Sequence, residues 1–217
     1  MIQIVYINCF CPDERGFLSL EEPLHGFLTV QGRSTKFTLS SFHTSSPDEL
    51  KGHIESYLVS IQEKSVLIVG AHGHPSLGGF CVCNEPVLWH DLASLLSRMP
   101  KSSIFISYSC NGGFPGIAHA QSCTRGPTYI FGPRVIIPAE LMQDATFKIL
   151  EWYSTGNLSV KSASDLIDCL NQQAATAWRV IPKERHPVLR VIWSKGRYPK
   201  IPSPDRPDGS DIPQRDW

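Results

Sequence analysis

The sequence predicts an α/β fold, in which a mostly parallel central sheet of about six strands carries helices on both faces. Strand-like apolar runs alternate with helix-like segments along the chain, as in successive βαβ units. Two of these runs, at 65–73 and 102–110, end in a His-Gly pair and in a Ser-Cys pair. Because parallel strands bring their carboxyl ends to one edge of a sheet, where such folds bind ligands, we expect a functional site there.

The first half of the chain predicts three strands. In chain order they lie at 1–10, 36–44 and 65–73. The stretch from Pro12 to Arg33 is rich in turn residues, and Gly26–Val30 within it predicts a hairpin. This half therefore supplies about half of the sheet, with an irregular connection after its first strand.

A capping pattern marks the helix that connects the second and third strands. Ser46 lies at the cap, Pro47 at the first helical position, and Glu49 completes a capping box. The apolar residues that follow at helical spacing are Leu50, Ile54, Leu58 and Ile61. This single apolar stripe predicts a crossover helix that packs against the sheet.

The second half of the chain continues the alternation. A hairpin is predicted at 78–89, with its turn at Asn84–Pro86. The remaining predicted elements are a helix at 91–98, a strand at 102–110, a strand at 128–137 interrupted by Gly132-Pro133, helices at 139–155 and 163–180, and a last strand at 187–194. Together with the first half, this makes six main strands.

Composition predicts one globular domain at 1–196 and a flexible, proline-rich tail at 197–217. A chain of 217 residues with 41% hydrophobic content is large enough to bury one core. Five prolines between Pro199 and Pro213, mixed with polar and charged residues, do not build a core. The tail is therefore expected to be extended.

Charge and cysteine content narrow the expected partners and compartment. Twenty basic and twenty acidic residues give a net charge of zero, so no overall field favours nucleic acid or an anionic membrane. The first eight residues carry no positive leader, and no apolar run approaches the ~18 residues that a membrane helix needs. The seven cysteines are odd in number and mostly lie in apolar runs, which favours free thiols. We expect a cytoplasmic protein that contacts neither nucleic acid nor membrane.

The strand ends at His72 and Cys110 combine the groups that a cysteine nucleophile needs. A free thiol has a pKa of about 8.5 and is mostly protonated at neutral pH, so it needs a base beside it. Neighbouring strands would put His72 beside Cys110, with the backbone N–H groups of Gly73 and Cys110 facing a substrate oxyanion. Gly112 and Gly113 allow a sharp turn that leaves the sulfur exposed.

This layout resembles that of the caspase-like cysteine peptidases, which include caspases, metacaspases and the bacterial CHAT-type proteases. The resemblance covers about 65–113 and, less closely, Val135–Gly156, and it implies a three-layer α/β sandwich. It also implies that Cys110 is the nucleophile, His72 the general acid and base, and Gly73 the oxyanion-hole glycine. No cofactor or metal is required for such chemistry.

Three residues, Tyr108, Ser109 and Asp13, are expected to contact the substrate. Tyr108 stands two residues before the nucleophile, where members of the family often carry Asp or Gln, so this position supplies no counter-charge. Ser109 alternates with Ser107 beside the sulfur, so that one of them faces inward and the other the cleft. Asp13, with Glu14 next to it, follows the first strand and supplies an acid from another direction.

The resemblance implies a regulated endopeptidase that acts on a protein or peptide, of the kind used in bacterial antiviral defence or cell suicide. An activating protein, a small-molecule signal or assembly into an oligomer would control it. Two alternatives from other classes remain open. One is a catalytically silent binding or assembly module on the same fold. The other is a zinc site, whose ligands would be His72, His74, Cys81 and Cys83.

Overall fold

The structure, a computed structural model, describes residues 1–30, 33–74, 79–110, 112, 127, 129–133, 138–174 and 178–182. The strands of this part are β1 (Ile2–Asn8), β2 (Phe37–His43), β3 (Ser65–Gly70), β4 (His72–Gly73), β5 (Gly79–Val82), β6 (Glu85–Leu88), β7 (Ile104–Tyr108), β8 (Tyr129–Pro133) and β9 (Trp178–Pro182). Its helices are α1 (Arg15–Leu18), α2 (Glu21–Thr29), α3 (Pro47–Ser60), α4 (Trp89–Leu96), α5 (Ala139–Ser154) and α6 (Val160–Ala174).

The central sheet formed by the described residues has six strands, in the order β2-β1-β3-β7-β8-β9. The first five pair in parallel, and β9 lies antiparallel to β8 at one edge. Helices α2, α5 and α6 cover one face, while α3, α4 and a small antiparallel sheet (β4, β5 and β6) cover the other. The predicted α/β sandwich with a mostly parallel sheet is confirmed.

Alternating side chains along β1 fill the cores on both faces of the sheet. Ile4 and Tyr6 pack into one core cluster, and Val5 and Ile7 pack into the other. Every residue of β3 and β7 is buried, as expected for strands covered on both sides. The two strands that lead to the predicted site are therefore the centre of the sheet.

Helix α3 begins at the residue that the capping pattern predicts. The Ser46 hydroxyl accepts a hydrogen bond from the Glu49 N–H (3.3 Å). The Glu49 carboxylate accepts from the N–H of Ser45 (2.8 Å), one residue earlier than a standard capping box, and this bond holds the pKa of Glu49 below its ordinary value. The predicted apolar stripe packs on the sheet, with members that are buried or half-buried: Leu50, Ile54, Leu58 and Ile61.

Two predicted turns are placed differently in the structure. The hairpin predicted at Gly26–Val30 is instead the end of helix α2. Leu20, Leu24 and Phe27 are all buried, and this helical spacing of apolar side chains outweighs the turn residues around them. The β5–β6 hairpin turns at Cys83–Asn84, earlier than predicted, and Cys83 adopts a φ of 50° there.

The second half also departs from the prediction at its end. The helix predicted at 163–180 is described as far as Ala174, and Trp178–Pro182 form the antiparallel edge strand β9. Pairing with β8 supplies its hydrogen bonds, so tertiary context decides this segment. Gly132-Pro133 is the last pair of residues in β8, and the rest of the predicted strand, at 134–137, lies outside the described residues. Predicted features that lie outside the described residues are the strand at 187–194 and the tail at 197–217.

Candidate active site

The two strands that lead to the predicted site are neighbours. β3 and β7 pair in parallel along five positions, up to Gly70 and Tyr108. The contact continues for one more residue, since the Ala71 N–H donates to the Tyr108 carbonyl (3.1 Å). His72 and Cys110 therefore leave the sheet side by side, each two residues after the last pair. The predicted adjacency of these strands is confirmed.

Beyond Ala71, the chain changes its partner. His72 and Gly73 pair antiparallel with Cys81 and Phe80, so the strand predicted at 65–73 is divided between the central sheet and the small one. A second sheet thus fixes the backbone of His72. Because of this division, His72 lies outside the central sheet, while its backbone remains part of a regular antiparallel strand pair.

The backbone of Gly73 lies against the backbone of Cys110. A Cβ atom built on Gly73 would overlap the carbonyl oxygen of Cys110 and lie 2.7 Å from its carbonyl carbon. Only glycine fits this approach without a shift of the chain. The sequence analysis explains this glycine by the access that a substrate needs to its N–H. The structure adds a second reason, because the glycine backbone directly contacts the end of the neighbouring strand.

A tight turn carries Cys110 at the end of β7. The Gly112 N–H donates to the Ser109 carbonyl (3.0 Å), and a side chain on Gly112 would overlap the Ser107 hydroxyl. Ser107 and Ser109 are both fully buried, and their hydroxyl oxygens lie 2.8 Å apart. Cys110 is half-buried and directly follows the buried Ser109, whose carbonyl accepts the hydrogen bond of this turn. The predicted turn residue Gly113 lies outside the described residues.

The imidazole of His72 lies between a carboxylate and an aromatic ring. Its Nε2 is 3.0 Å from Oε1 of Glu14. Phe10 meets the imidazole edge-on, with ring centroids 5.2 Å apart and an angle of 81° between the planes. The sequence predicts Glu14 only as an acid beside Asp13, and nothing in the residue pattern links it to His72. The turn that brings the two side chains together is a tertiary feature.

The structure buries two of the three predicted substrate contacts. Tyr108 is 2% exposed, its hydroxyl donates to the Ala139 carbonyl (3.2 Å), and burial raises its pKa. Ser109 is fully buried, so the alternation of the two serines does not turn it toward a cleft. Asp13 is exposed in the turn that carries Glu14, and its contact with substrate stays a prediction.

Three of the five described cysteines other than Cys110 have a thiol pKa above its ordinary value. All six described cysteines are free thiols. Burial raises the pKa of Cys9 and of Cys81. The pKa of Cys11 is raised to about 11, chiefly by a hydrogen bond with the thiol of Cys83. Because a raised pKa lowers the thiolate fraction at neutral pH, these three thiols are expected to react slowly with an electrophile.

Two further findings concern the described residues. No group of three or more His, Cys, Asp or Glu side chains among them is arranged to hold a metal ion. No helix in the described ranges combines the length and hydropathy that a bilayer crossing requires.

Solved structures share this fold, and one of them is that of a cysteine protease. It is an X-ray structure of a secreted C11 cysteine protease from Bacteroides thetaiotaomicron, in complex with an irreversible peptide inhibitor. The TM-score is 0.60 at 12% sequence identity, and the alignment covers 84% of this chain and 66% of that protease, just under two thirds of its length. No family model and no curated protein matches the sequence. The similarity supports the caspase-like fold that the motifs around His72 and Cys110 predict.

Proposed function

We propose that this protein is a caspase-like cysteine peptidase that hydrolyses peptide bonds through Cys110 and His72. The observation that carries the proposal is the contact between Gly73 and Cys110. It sets a histidine and a thiol-bearing turn side by side at the carboxyl edge of the sheet, the edge where open α/β folds bind ligands. The fold shared with a cysteine protease supports the same conclusion.

The chemistry assigned to these residues proceeds in two stages. The Cys110 thiolate attacks the carbonyl carbon of the scissile bond, and His72 protonates the leaving amine, which gives a thioester. His72 then takes a proton from water, the resulting hydroxide attacks the thioester, and the thiolate leaves, which restores the pair of thiolate and imidazolium. The N–H groups of Gly73 and Cys110 stabilise the negative oxygen that develops in both stages.

The substrate proposed for this site is a protein or peptide. The inhibitor bound to the similar protease is a peptide, which supports this class for a site of the same fold. The burial of Tyr108 and Ser109 leaves Asp13, which is exposed in the turn that carries Glu14, as the proposed substrate contact. Selection of the residue before the cut therefore rests with groups other than Tyr108.

Control of the enzyme is part of the proposal. We assign it to the class of regulated effectors of bacterial defence or cell suicide that an activating protein, a small-molecule signal or oligomer formation switches on. A cytoplasmic location, in which thiols stay reduced, is compatible with the free thiols of the described cysteines. The similar protease is secreted, so fractionation of the native host is the test of location.

The test of the proposed function is cleavage of a diverse peptide library by the wild type and by Cys110→Ala. Cys169→Ala is the matched control, because Cys169 is an exposed free thiol on α6. We expect cleavage by the wild type and the control but not by Cys110→Ala. Each protein is assayed with and without lysate of the native host, and a requirement for lysate would reveal an activator.

Alkylation kinetics separate the peptidase from a silent binding module. Cys110 is expected to react with iodoacetamide faster than the other thiols, and to lose this advantage in His72→Ala. Mass spectrometry of the labelled peptides measures the rate at each cysteine. Absence of cleavage under every condition, together with an unexceptional Cys110, would favour the binding module.

A further inference from the structure

We propose that Glu14 positions the imidazole of His72, so that the site is a Cys110, His72 and Glu14 triad in which Glu14 acts through His72. The inference rests on the proposed function and adds a residue that neither the motif resemblance nor the fold comparison assigns. Glu14 lies 58 residues before His72 in the chain. It reaches the imidazole only because β1 and β3 are neighbours in the sheet.

Both oxygens of the Glu14 carboxylate have a partner. Oε1 lies 3.0 Å from Nε2 of His72, and Oε2 accepts a hydrogen bond from the Cys11 N–H (3.4 Å). The N–H groups of Glu14 and Arg15 in turn donate to the Cys11 carbonyl (3.0 and 3.2 Å), which closes the turn around the carboxylate. The carboxylate is therefore oriented by its own turn, independently of the imidazole.

The same turn holds the aromatic ring that packs against His72. The Phe10 N–H donates to the side-chain oxygen of buried Asn8 (3.1 Å), and the Phe10 carbonyl accepts from Nε of Arg15 (2.9 Å). Phe10 and Glu14 thus contact the imidazole from one anchored segment. Such support is what a precisely held catalytic base requires.

The position of this segment in the sheet also suits a functional role. The strand order β2-β1-β3 means that the chain leaves β1 toward one side of the sheet and β3 toward the other. Ligands bind in the crevice that such a switch point opens at the carboxyl ends of the strands. Glu14 follows β1 and His72 follows β3, so their pair lies at this switch point.

The pairing determines which nitrogen of His72 exchanges protons. An ionised carboxylate only accepts hydrogen bonds, so Nε2 carries the hydrogen and Nδ1 is left for Cys110. The thiol proton passes to Nδ1, and the imidazolium that forms lies beside the negative carboxylate. Nδ1 then delivers this proton to the leaving amine. Glu14 keeps its charge throughout and stabilises the imidazolium, as the aspartate of the serine protease triad does.

A second Glu–His pair supplies a matched control. His43 Nε2 and Glu21 Oε2 also lie 3.0 Å apart, with side chains 44% and 31% exposed, against 45% and 31% for His72 and Glu14. Glu21→Gln therefore removes the same charge at the same exposure from a pair that the proposal leaves out of catalysis.

The first experiment uses alkylation of Cys110, which needs no substrate. The measured quantity is the ratio of the iodoacetamide rate at about pH 6 to that at about pH 9. In the wild type the imidazolium supports the thiolate at the lower pH, so Glu14→Gln should reduce this ratio several-fold, while Glu21→Gln leaves it unchanged. A merely misplaced turn would slow alkylation at both values alike. An unchanged ratio in Glu14→Gln would overturn the proposal.

The second readout is the His72 ring itself, followed by nitrogen-15 NMR of histidine-labelled protein. Glu14→Gln should change the ring signals of His72 and leave those of His43 in place, and Glu21→Gln should do the reverse. Glu14→Asp, which keeps the charge on a shorter arm, should restore part of the wild-type pattern. His72 signals that are identical in the wild type and Glu14→Gln would contradict the proposal whether or not the protein cleaves peptides.

Peptide cleavage gives the third readout. Glu14→Gln should lower kcat about tenfold with KM nearly unchanged, because the positioning residue acts on the chemical step and the pair is partly exposed to water. This is far below the roughly 10⁴-fold loss caused by removing the buried aspartate of the serine protease triad. Cleavage that survives in Cys110→Ala would instead remove the proposed function, so the two failures are distinguishable.

Discussion

Two Glu–His pairs in this molecule have nearly the same geometry and different surroundings. The Glu14–His72 and Glu21–His43 pairs share a distance of 3.0 Å and almost equal exposure. His43 is the last residue of β2, a strand at the edge of the sheet, whereas His72 follows a central strand and lies next to the residue that touches Cys110. An exposed ion pair is therefore no sign of catalysis by itself, and its place in the fold decides what it does.

The path of the chain explains the difference between the pairs. Glu21 begins α2, which belongs to the connection between β1 and β2, so this pair joins a strand end to its own crossover. The pair of Glu14 and His72 instead joins the ends of β1 and β3, from which the chain departs to opposite sides. Of these two pairs, the second lies at the switch point of the strand order, the place where open α/β folds bind ligands.

The largest expected difference between the two regions comes from removing each histidine. His72→Ala should lower Cys110-dependent cleavage by roughly 10²–10⁴-fold, the range for loss of a general acid and base. His43→Ala should leave kcat within a factor of two, a change of roughly 0.4 kcal/mol in the barrier. Steady-state kinetics on one peptide measures both. Equal losses in the two variants would mean that the contrast between the regions is false.

The contact between the strand ends is tested by Gly73→Ala. The new Cβ would overlap the Cys110 carbonyl, so the chain must shift, at a cost of about 1–3 kcal/mol in unfolding free energy and with loss of kcat. Gly52→Ala is the control, because Gly52 lies within α3 with nothing within 4 Å of an added Cβ. That variant should gain about 0.5–1 kcal/mol. Urea unfolding measures both, and a tolerated Gly73→Ala would argue against the contact.

Substitution of the two glutamates should affect peptide cleavage differently but folding stability alike. Glu14→Gln and Glu21→Gln are each expected to change the unfolding free energy by less than about 1 kcal/mol, because both ion pairs are partly exposed and screened by salt. Urea unfolding at low and at high salt is the measurement. A much larger stability loss in Glu14→Gln would assign this residue a structural role and weaken the comparison.

The smallest expected effect concerns Glu49, which is remote in sequence from Cys110 and whose carboxylate accepts hydrogen bonds from the Ser45 N–H and from the hydroxyls of Ser45 and Thr44. The Ser45 N–H lowers the folded-state pKa of Glu49 below 4.5, so this bond stabilises the protein fully above pH 4.5 and is lost as pH falls through the lowered pKa. Melting temperatures measured below pH 5 should fall less steeply in Glu49→Gln than in the wild type. A parallel fall in both proteins would contradict this account.

Local patterns predict the parts of the fold that local interactions form. The cap of α3 follows from Ser46, Pro47 and Glu49, because serine hydroxyls and N-terminal prolines satisfy the first turn of a helix in any context. Helix α2 and strand β9 are misassigned for the opposite reason. Turn residues such as Gly26 predict a hairpin locally, whereas the apolar side chains of α2 favour a helix only when they pack against the sheet. Strand β9 forms because it pairs with β8.

The candidate site divides in the same way. His72, Gly73 and Cys110 are recognisable because they end apolar runs, and the register of two parallel strands then brings them together. The burial of Tyr108 and Ser109 was not predicted, because the sequence shows the alternation of a strand but not which of its faces is covered. Both faces of β7 are covered, and Ser109, the residue after β7, is fully buried as well.

By itself, the sequence determined the sheet-and-helix alternation and the two strand ends that carry a histidine and a thiol, since these depend on apolar runs and on the glycines that end them. Only the tertiary structure decided that Glu14 and Phe10 meet His72. Contacts between side chains 58 or more residues apart depend on strand order and on the path of a turn, and no local residue pattern records either.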